Sequence, residues 1–392
     1  MSPRTARSVP RGLPRFVVAA GVAVALSATA ASATADEPTH PISAAPEVAK
    51  PAPAGPVFGY DPDRGAFIRS GDGAWELNPY AMVQLQNVSV IQPNDKSTTT
   101  FSLRAAKLIF HGHLFDPTFT YHFQINAGDG KVAAEDIYLR WDPWKALGLL
   151  VGQIEVPFNR QHITLEAYQE LIDRSIVDAR FNLQRDIGAA VYGADPEHHF
   201  EATLGVWNGS RQNAPNDDQN YMTTLRLAYN PWGPIAFREA DLDDSRSPKL
   251  SVAVAGAMNP TRTVTDPTGA SPPTYLKDIL QGVGELTLRY RGLSLTGEAH
   301  ARQMEKDGKK KVDYGAFGQI GMFVLPKKLE LIGRVSAIGG DVGATDTIRE
   351  VTAGAAYYFR KHRFKAQVDY SHLQTQQKDE SDRLRFQIEF FL

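Results

Sequence analysis

An all-β fold, a transmembrane antiparallel β-barrel of about 16 strands, follows from three features of the sequence. Apolar and polar residues alternate with a period of two almost everywhere after Trp75. Tight turns and long polar loops take turns as the connections between these segments. Beyond the N-terminal leader no apolar run reaches the roughly 20 residues of a membrane-spanning helix, whereas the alternating segments match the ~9–11 residues of a tilted spanning strand. Hydrocarbon offers the backbone no hydrogen-bond partner, so strands that cross it must pair around a closed sheet.

The bulk composition agrees with this and removes several alternatives. The chain has 392 residues and no cysteine, which excludes disulfides, thiolate metal sites, cysteine nucleophiles and lipid-modified cysteine. A net charge of −2 gives no support for nucleic-acid binding. The mean hydropathy of −0.31 suits a barrel with one apolar and one polar face. Nothing in the sequence calls for a cofactor.

Residues 1–35 read as a signal peptide. Arg4, Arg7, Arg11 and Arg15 form a basic region, FVVAAGVAVAL forms a short apolar core, and Ala33-Thr34-Ala35 fits the small-x-small cleavage rule. Removing the leader leaves the mature chain at a net charge of −6. Residues 36–72 read as a periplasmic linker, because six prolines between Pro38 and Pro56 and many alanines build no core. The barrel is assigned to residues 73–392.

The predicted strands run, in order, over 75–90, 101–114, 118–128, 134–142, 147–156, 186–193, 200–208, 220–229, 250–258, 283–290, 293–304, 312–324, 329–338, 348–359, 364–372 and 383–392. TYHFQINA shows the alternation clearly, with Phe119, Tyr121, Phe123, Ile125 and Ala127 opposite Thr120, His122, Gln124 and Asn126. Tyr80, Tyr121, Trp141, Tyr229, Tyr290, Tyr357 and Tyr370 fall near strand ends, as an interfacial aromatic girdle requires. The tight connections are FDPT, DPWKA, ADPEHH, RG, LPKK and RKHR. NGSRQNAPNDDQ, NPTRTVTDPTGASPPTYLKDILQG, GGDVGATD and QTQQKDES read as long external loops. PWGPIAFREADLDDSRSPK is too long for the tight side and has no place in this scheme beyond an insertion. The final RLRFQIEFFL reads as the closing strand, with Leu384, Phe386, Ile388, Phe390 and Leu392 toward outer-membrane lipid; such a strand is also the expected mark for barrel-assembly machinery.

Alternation places Lys107, Arg140, Arg226, Arg289, Arg302, Arg334, Lys365 and Arg385 on the inner wall. It places Asp136, Glu155, Glu201, Glu285, Glu298, Glu330, Glu350, Asp369 and Glu389 there as well. Two readings stay open: cross-strand pairs that stiffen the wall, or a basic ladder that guides anions. The segment from Pro157 to Asp186 is the connection with helical character, since Leu165, Tyr168, Leu171 or Ile172, and Ile176 recur at helical spacing. A loop with such an apolar face is expected to fold inward and narrow the lumen. Its arginines Arg160, Arg174, Arg180 and Arg185 have the geometry to hold an oxyanion. Arg174 and Arg185 have the alternative of pairing with Asp173, Asp178 or Asp186, which leaves Arg160 and Arg180 to face solute. His111, His113 and a facing His122 share one wall, a spacing seen in zinc and copper sites, with no evident fourth ligand.

Several blocks resemble the phosphate-selective porin O/P family of outer-membrane porins. They are FSLRAAKLIFHGHLFDPTFTYHFQINAGDG with its basic pair Arg104 and Lys107, LLVGQIEVPFNRQ, DRSIVDARFNLQRDIGAAVYG, LELIGRVSAI, and TAGAAYYFRKHRFKAQVDYS. The resemblance implies a 16-stranded barrel, a third external loop folded into the lumen, a homotrimer, and diffusion of phosphate or other small anions. Glu155 stands where many relatives place lysine, so the anion preference expected here is weak. On this reading the pore residues are Lys107, Arg140, Arg160, Arg174, Arg180, Arg185 and Arg334, the solutes are small molecules or anions, and the protein is not an enzyme. The alternative is an outer-membrane β-barrel enzyme or a structural or adhesive barrel, against which the sequence offers no Gly-x-Ser-x-Gly motif and no Ser–His pair forced together by spacing. The leader assignment predicts a mature N-terminus at Asp36; the intact mass of the exported protein checks it, and retention of residues 16–26 would refute it.

Overall fold

The computed structural model describes residues 55–61, 65–92, 96–264, 274–341, 347–375 and 380–392. The leader and the linker as far as residue 54 lie outside the described residues. Two short strands come first, β1 (Val57–Asp61) and β2 (Gly65–Arg69). Then follow β3 (Glu76–Ile91), β4 (Thr98–Leu114), β5 (Asp116–Asn126), β6 (Ala133–Trp144), β7 (Leu147–Glu155) and β8 (Arg185–Ala194). The middle of the chain gives β9 (Phe200–Trp207), β10 (Met222–Tyr229), β11 (Lys249–Val264), β12 (Thr274–Tyr290) and β13 (Leu293–Lys306). The last five are β14 (Lys309–Leu325), β15 (Leu329–Gly340), β16 (Ile348–Arg360), β17 (Phe364–Thr375) and β18 (Glu380–Phe391).

From β3 to β18 each strand pairs antiparallel with the next, and β18 returns to pair with β3 from Asp382↔Ile91 to Phe391↔Met82. Sixteen strands therefore close without an edge, and each predicted strand has its counterpart. Leu392 exchanges backbone hydrogen bonds with Ala81, so the terminal alternating segment is the seam of the barrel.

Burial is inverted relative to a protein with an apolar core. In β18, Leu384, Phe386 and Phe390 are exposed while Arg385, Gln387 and Glu389 are 3%, 1% and 0% exposed. The same split runs around the sheet: Leu204, Leu225, Val254, Leu331, Val335 and Val351 point out, and Gln84, Lys107, Glu285, Gln319, Lys365 and Asp369 point in. A contiguous apolar outer belt of this kind is stable only against hydrocarbon or another apolar surface.

Four features depart from the sequence reading. First, β1 and β2 form a hairpin within the stretch assigned to the linker, and β2 adds to β3 through Ile68↔Leu77 and Arg69↔Glu76. VFGYD and GAFIR are long enough to pair once a neighbouring strand end offers hydrogen bonds. Second, most of NPTRTVTDPTGASPPTYLKDILQG belongs to the wall, because β11 runs on to Val264 and β12 starts at Thr274. Third, β13 and β14 are joined on the long-loop rim by Asp307-Gly308, with φ of 53° and 70°. That Asp-Gly pair suits a two-residue hairpin turn with both φ values positive. Fourth, the 230–248 connection folds into the barrel, burying Ile235, Ala240 and Leu242.

The 156–184 connection also lies inside. Its helical content is limited to α1 (Arg160–Ile163), a 3-10 turn over Glu166–Tyr168, and α2 (Ile176–Phe181), whose Ser175 Oγ accepts from the Asp178 amide. The apolar residues that recur at helical spacing do not form one face. Leu165 and Tyr168 pack near Met82 and Ala105, Leu171 near Ile332 and Tyr358, and Ile176 near Phe317 and Ile338. Each contacts a different part of the wall, and that tertiary packing overrides the local period.

The inward and outward rows predict unequal tolerance. Phe386→Arg should cost about 2–4 kcal/mol near the bilayer midplane and lower the amount of folded, heat-modifiable protein, whereas Gln387→Ala should leave most of it. Equal losses from both would contradict the assignment of the two faces.

Candidate functional site

The inward segment 156–184 is fastened to the wall by buried charge pairs, and most of the predicted cationic site residues are the fasteners. Lys107 Nζ lies 2.9 Å from Glu135 Oε2 and 2.5 Å from Glu166 Oε2, bridging wall and loop. Arg185 reaches Asp136 at 2.9 Å and Glu155 at 3.0 Å. Arg174 donates to the carbonyls of Gln161, His162 and Thr164 at 3.1, 2.8 and 2.9 Å. Arg334 donates to the Asp173 carbonyl at 2.8 Å and lies 3.4 Å from Glu350.

Arg174 and Arg185 thus hold the loop, as one of the two sequence readings had it, but without a direct bond to Asp173, Asp178 or Asp186. Their direct partners are loop carbonyls and the carboxylates of Glu155, Glu166, Glu135 and Asp136, and Asp178 feels Arg174 at longer range. Glu155 is taken up by these two arginines. Its charge is therefore absorbed locally as an ion pair.

Arg160 does not face solute. It is 4% exposed, donates to the Ala236 and Ile235 carbonyls at 2.6 and 3.2 Å, and lies 4.5 Å from the Phe237 ring centre. Burial, together with the guanidiniums of Arg289 and Arg226, pulls Arg160 down to about 9. Arg180 is partly exposed and shares Asp313 with Arg302, at 2.9 and 2.8 Å. Arg140 stands apart from the loop beside the β6–β7 turn, paired with Asp142 at 2.8 Å and 4.4 Å from the Tyr192 ring centre.

The open space lies elsewhere. A cavity of about 370 Å³ separates the 173–184 part of the loop from β4, β16 and β18. Its charged lining is Arg104, Arg174, Arg383 and Arg385 against Asp173, Asp178 and Glu350, with His162 beside them. Arg104 Nη2 lies 2.9 Å from Asp173 Oδ1, and Arg385 bonds Asp173 as well as Asp369. Burial alone would raise the Asp173 carboxyl, but Arg104, Arg385, Arg334 and Arg383 hold it below its ordinary range. Burial would raise Asp178 too, yet His162 and Arg174 hold it at about 2. Arg383 is the least committed cation of this group, 3.9 Å from Glu350 and about a third exposed.

Arg104 and Arg383 were not among the predicted pore residues, for different reasons. The β3–β4 register passes from Gln84↔Ala105 to Leu85↔Leu103, so Arg104 is an extra residue in the wall and turns inward. A bulge at the 123–125 register shift likewise brings Glu135 inward beside Asp136. Period two cannot reveal either. The alternation that places Arg385 inward places Arg383 there too, so that signal was present.

His122 pairs directly with His111 across β4 and β5, as the sequence reading had it, but the ring nitrogens of the three histidines do not gather at one point. His111 stacks on Tyr80 and His122 on Tyr138, each with ring centres 5.1 Å apart, and His113 Nε2 lies 2.9 Å from the Gly73 carbonyl. Among the described residues the one group with mutually close ligand atoms is Asp195, Glu197 and His199 in the β8–β9 turn.

With this geometry in hand, residues 83–231 match the family model described as "Phosphate-selective porin O and P". A search of curated proteins finds no match. Among solved structures the chain is similar to an anion-selective porin from Comamonas acidovorans, with a TM-score of 0.58 at 11% identity over 81% of this chain and 100% of that one. It is similar to a trimer form of OmpT, an outer membrane protein of Vibrio cholerae, with a TM-score of 0.54 at 10% identity over 81% and 100%. It also resembles the outer membrane channel DcaP of Acinetobacter baumannii, with a TM-score of 0.54 at 12% identity over 81% and 98%. At these identities the likeness is one of fold.

The bridging role of Lys107 gives a test. Lys107→Met leaves buried Glu135 and partly buried Glu166 without their shared cation and should destabilise the folded barrel by up to about 3–5 kcal/mol, read as a lower transition temperature of the heat-modifiable band. Lys107→Arg should retain most of the stability; an unchanged transition in Lys107→Met would show that the bridge holds nothing.

Proposed function

We propose that the chain is an outer-membrane porin, a water-filled diffusion channel for small solutes with a modest preference for anions and no enzymatic activity. The observation that carries this reading is the closed 16-strand barrel with an apolar outer belt, a charged inner wall and a cavity of about 370 Å³ left open beside the inward loop. The family match over residues 83–231 and the fold of the similar structures support it. A signal peptide ending at Ala35, recognition of the last strand by barrel-assembly machinery, and assembly as a homotrimer complete the proposal. A trimer form is recorded for one of the proteins of similar fold.

Selectivity in such a lumen follows from the few charges at the narrow passage, because mobile charges are screened over about 8 Å in physiological salt. The wall totals are nearly balanced, and Lys107, Arg174, Arg185 and Arg334 are neutralised or spent on carbonyls. At the open cavity four arginines meet three carboxylates. We assign contact with a passing anion to Arg104 and Arg383, and their exposure of about a third supports this. Arg174 and Arg385 are also paired with Glu155 and Asp369 outside the cavity, so the modest anion preference rests on the exposure of Arg104 and Arg383 and not on a net surplus; a site for tight phosphate capture would need several uncommitted donors converging on one point.

The reversal potential of purified protein in a planar bilayer across a KCl gradient tests this. The expected result is a small anion preference that Arg383→Glu removes or inverts, with phosphate at micromolar concentration leaving chloride current unblocked. Strong cation preference, or micromolar block by phosphate, would overturn the selectivity; absence of conductance would overturn the channel.

A further inference from the structure

The lumen is entered from both rims. The 156–184 loop leaves β7 at one end and the 230–248 turn leaves β10 at the other, and the two meet inside. Arg160 donates to the Ile235 and Ala236 carbonyls, the Glu239 amide donates to the Tyr168 carbonyl at 3.0 Å, and the Glu170 amide donates to Glu239 Oε2 at 2.9 Å. Leu171 packs with Ala240 and Leu242. A connection that has no place in a simple barrel thus becomes one half of an internal junction.

At the centre of that junction stand three buried carboxylates from three elements. Gln319 Nε2 on β14 donates to Glu170 Oε2 at 2.8 Å and to Glu239 Oε2 at 2.9 Å. Glu330 on β15 is fully buried; its Oε2 accepts from Tyr358 at 2.8 Å, and its Oε1 has no hydrogen-bond partner among the described residues. Glu170 Oε1 accepts from Ser294. Gly321 leaves the gap between them, since a Cβ there would stand 2.6 Å from Glu170 Oε1 and 2.8 Å from Glu330 Oε1.

The nearby cations make their direct contacts elsewhere. Arg289 donates to the Ala236 carbonyl, with its Nε unpartnered among the described residues and its charge felt by Glu170 and Asp241 only at longer range, and Arg334 donates to the Asp173 carbonyl beside Glu350. Lys365 serves the Ala167 and Gln169 carbonyls and Glu389, and Arg226 pairs with Glu285. Arg238 lies over Tyr168 near Asp243, and His362 bonds the Ala167 carbonyl. The remaining acids are also engaged, Asp241 with Ser245 and Gly292, and Asp369 with Arg385 and the Ile172 amide.

We propose that Glu170, set between Glu239 and Glu330, forms a proton-held latch between the 156–184 loop and the 230–248 turn, which keeps the lumen narrow while Glu170 is protonated and releases the turn when it ionises. The inference rests on the porin reading for its consequence, not for its geometry. Carboxylates this close, with no cation within salt-bridge distance of them among the described residues, do not all carry charge. Burial and the Glu239 carboxylate push Glu170 up to about 6, against hydrogen bonds from Ser294 and Gln319. A folded-state value above the ordinary one makes the junction fully stable below the ordinary carboxylate range and weaker as pH rises through about 6.

Two readouts on the full-length protein in bilayers or detergent test the latch. Hydrogen exchange of peptides from 230–248, corrected for intrinsic rates, should lose protection by at most about tenfold per pH unit as pH rises from the ordinary carboxylate range to about 6 and level off above it, with conductance rising in the same range. Glu170→Gln and Glu239→Gln, once shown to fold by heat-modifiable mobility, should keep the turn protected and hold conductance low and nearly flat from pH 5 to pH 8. Protection that is independent of pH in the unaltered protein, or pH dependence that survives both substitutions, would overturn the latch. Protection that follows the predicted course in a protein without conductance would uphold the latch and overturn the porin reading instead.

Discussion

Closure of the sheet is the constraint on which the rest of this protein depends. A strand in hydrocarbon has no solvent to satisfy its amides and carbonyls, so each must pair with a neighbour, and a sheet with no edges is the arrangement that achieves this. The β18–β3 pairing supplies it. Once the sheet closes, the two rows of every strand face different media. The outward row becomes apolar and the inward row collects the charge, which is why the buried residues here include Lys107, Lys365, Glu330 and Glu389.

An inner wall so charged creates its own problem, because an unpaired charge out of water is costly. The protein meets it by pairing charges across elements and not only along the sheet. Lys107 ties the wall to Glu166, Arg185 ties β8 to Asp136 and Glu155, and Arg334 ties β15 to the Asp173 carbonyl. Several buried pairs of this kind add little net stability against apolar packing, but breaking one is expensive. Their effect is specificity: they fix where the 156–184 loop lies, and hence on which side the lumen stays open.

The sequence made the strands legible because period two is a strong and repeated signal, and the 16 predicted segments correspond to β3–β18. The inward row was legible for the same reason, down to Arg226, Glu285, Arg334 and Asp369. What could not be read was anything set by register or by distant contact. Bulges at Arg104 and Glu135 shift one residue and move a charge to the other face. The hydrogen-bond acceptors of Arg160 and Arg174 are carbonyls, and a carbonyl leaves no mark in a sequence. The helical spacing from Leu165 to Ile176 described no single helix, because separate wall sites bind its apolar residues. The 230–248 turn looked like an insertion since its partners, Tyr168, Glu170 and Gln319, lie far away in the chain.

Site-directed labelling along β18 tests the central claim most directly, because the chain has no cysteine of its own. Single cysteines at Leu384, Phe386 and Phe390, carrying a fluorophore in reconstituted bilayers, should be quenched by lipids with brominated acyl chains, while labels at Arg383 and Arg385 should respond to a water-soluble quencher instead. Quenching that ignores the odd–even alternation, or labels at 384, 386 and 390 reached only from water, would contradict a closed barrel with its apolar row in hydrocarbon and its charges around a lumen.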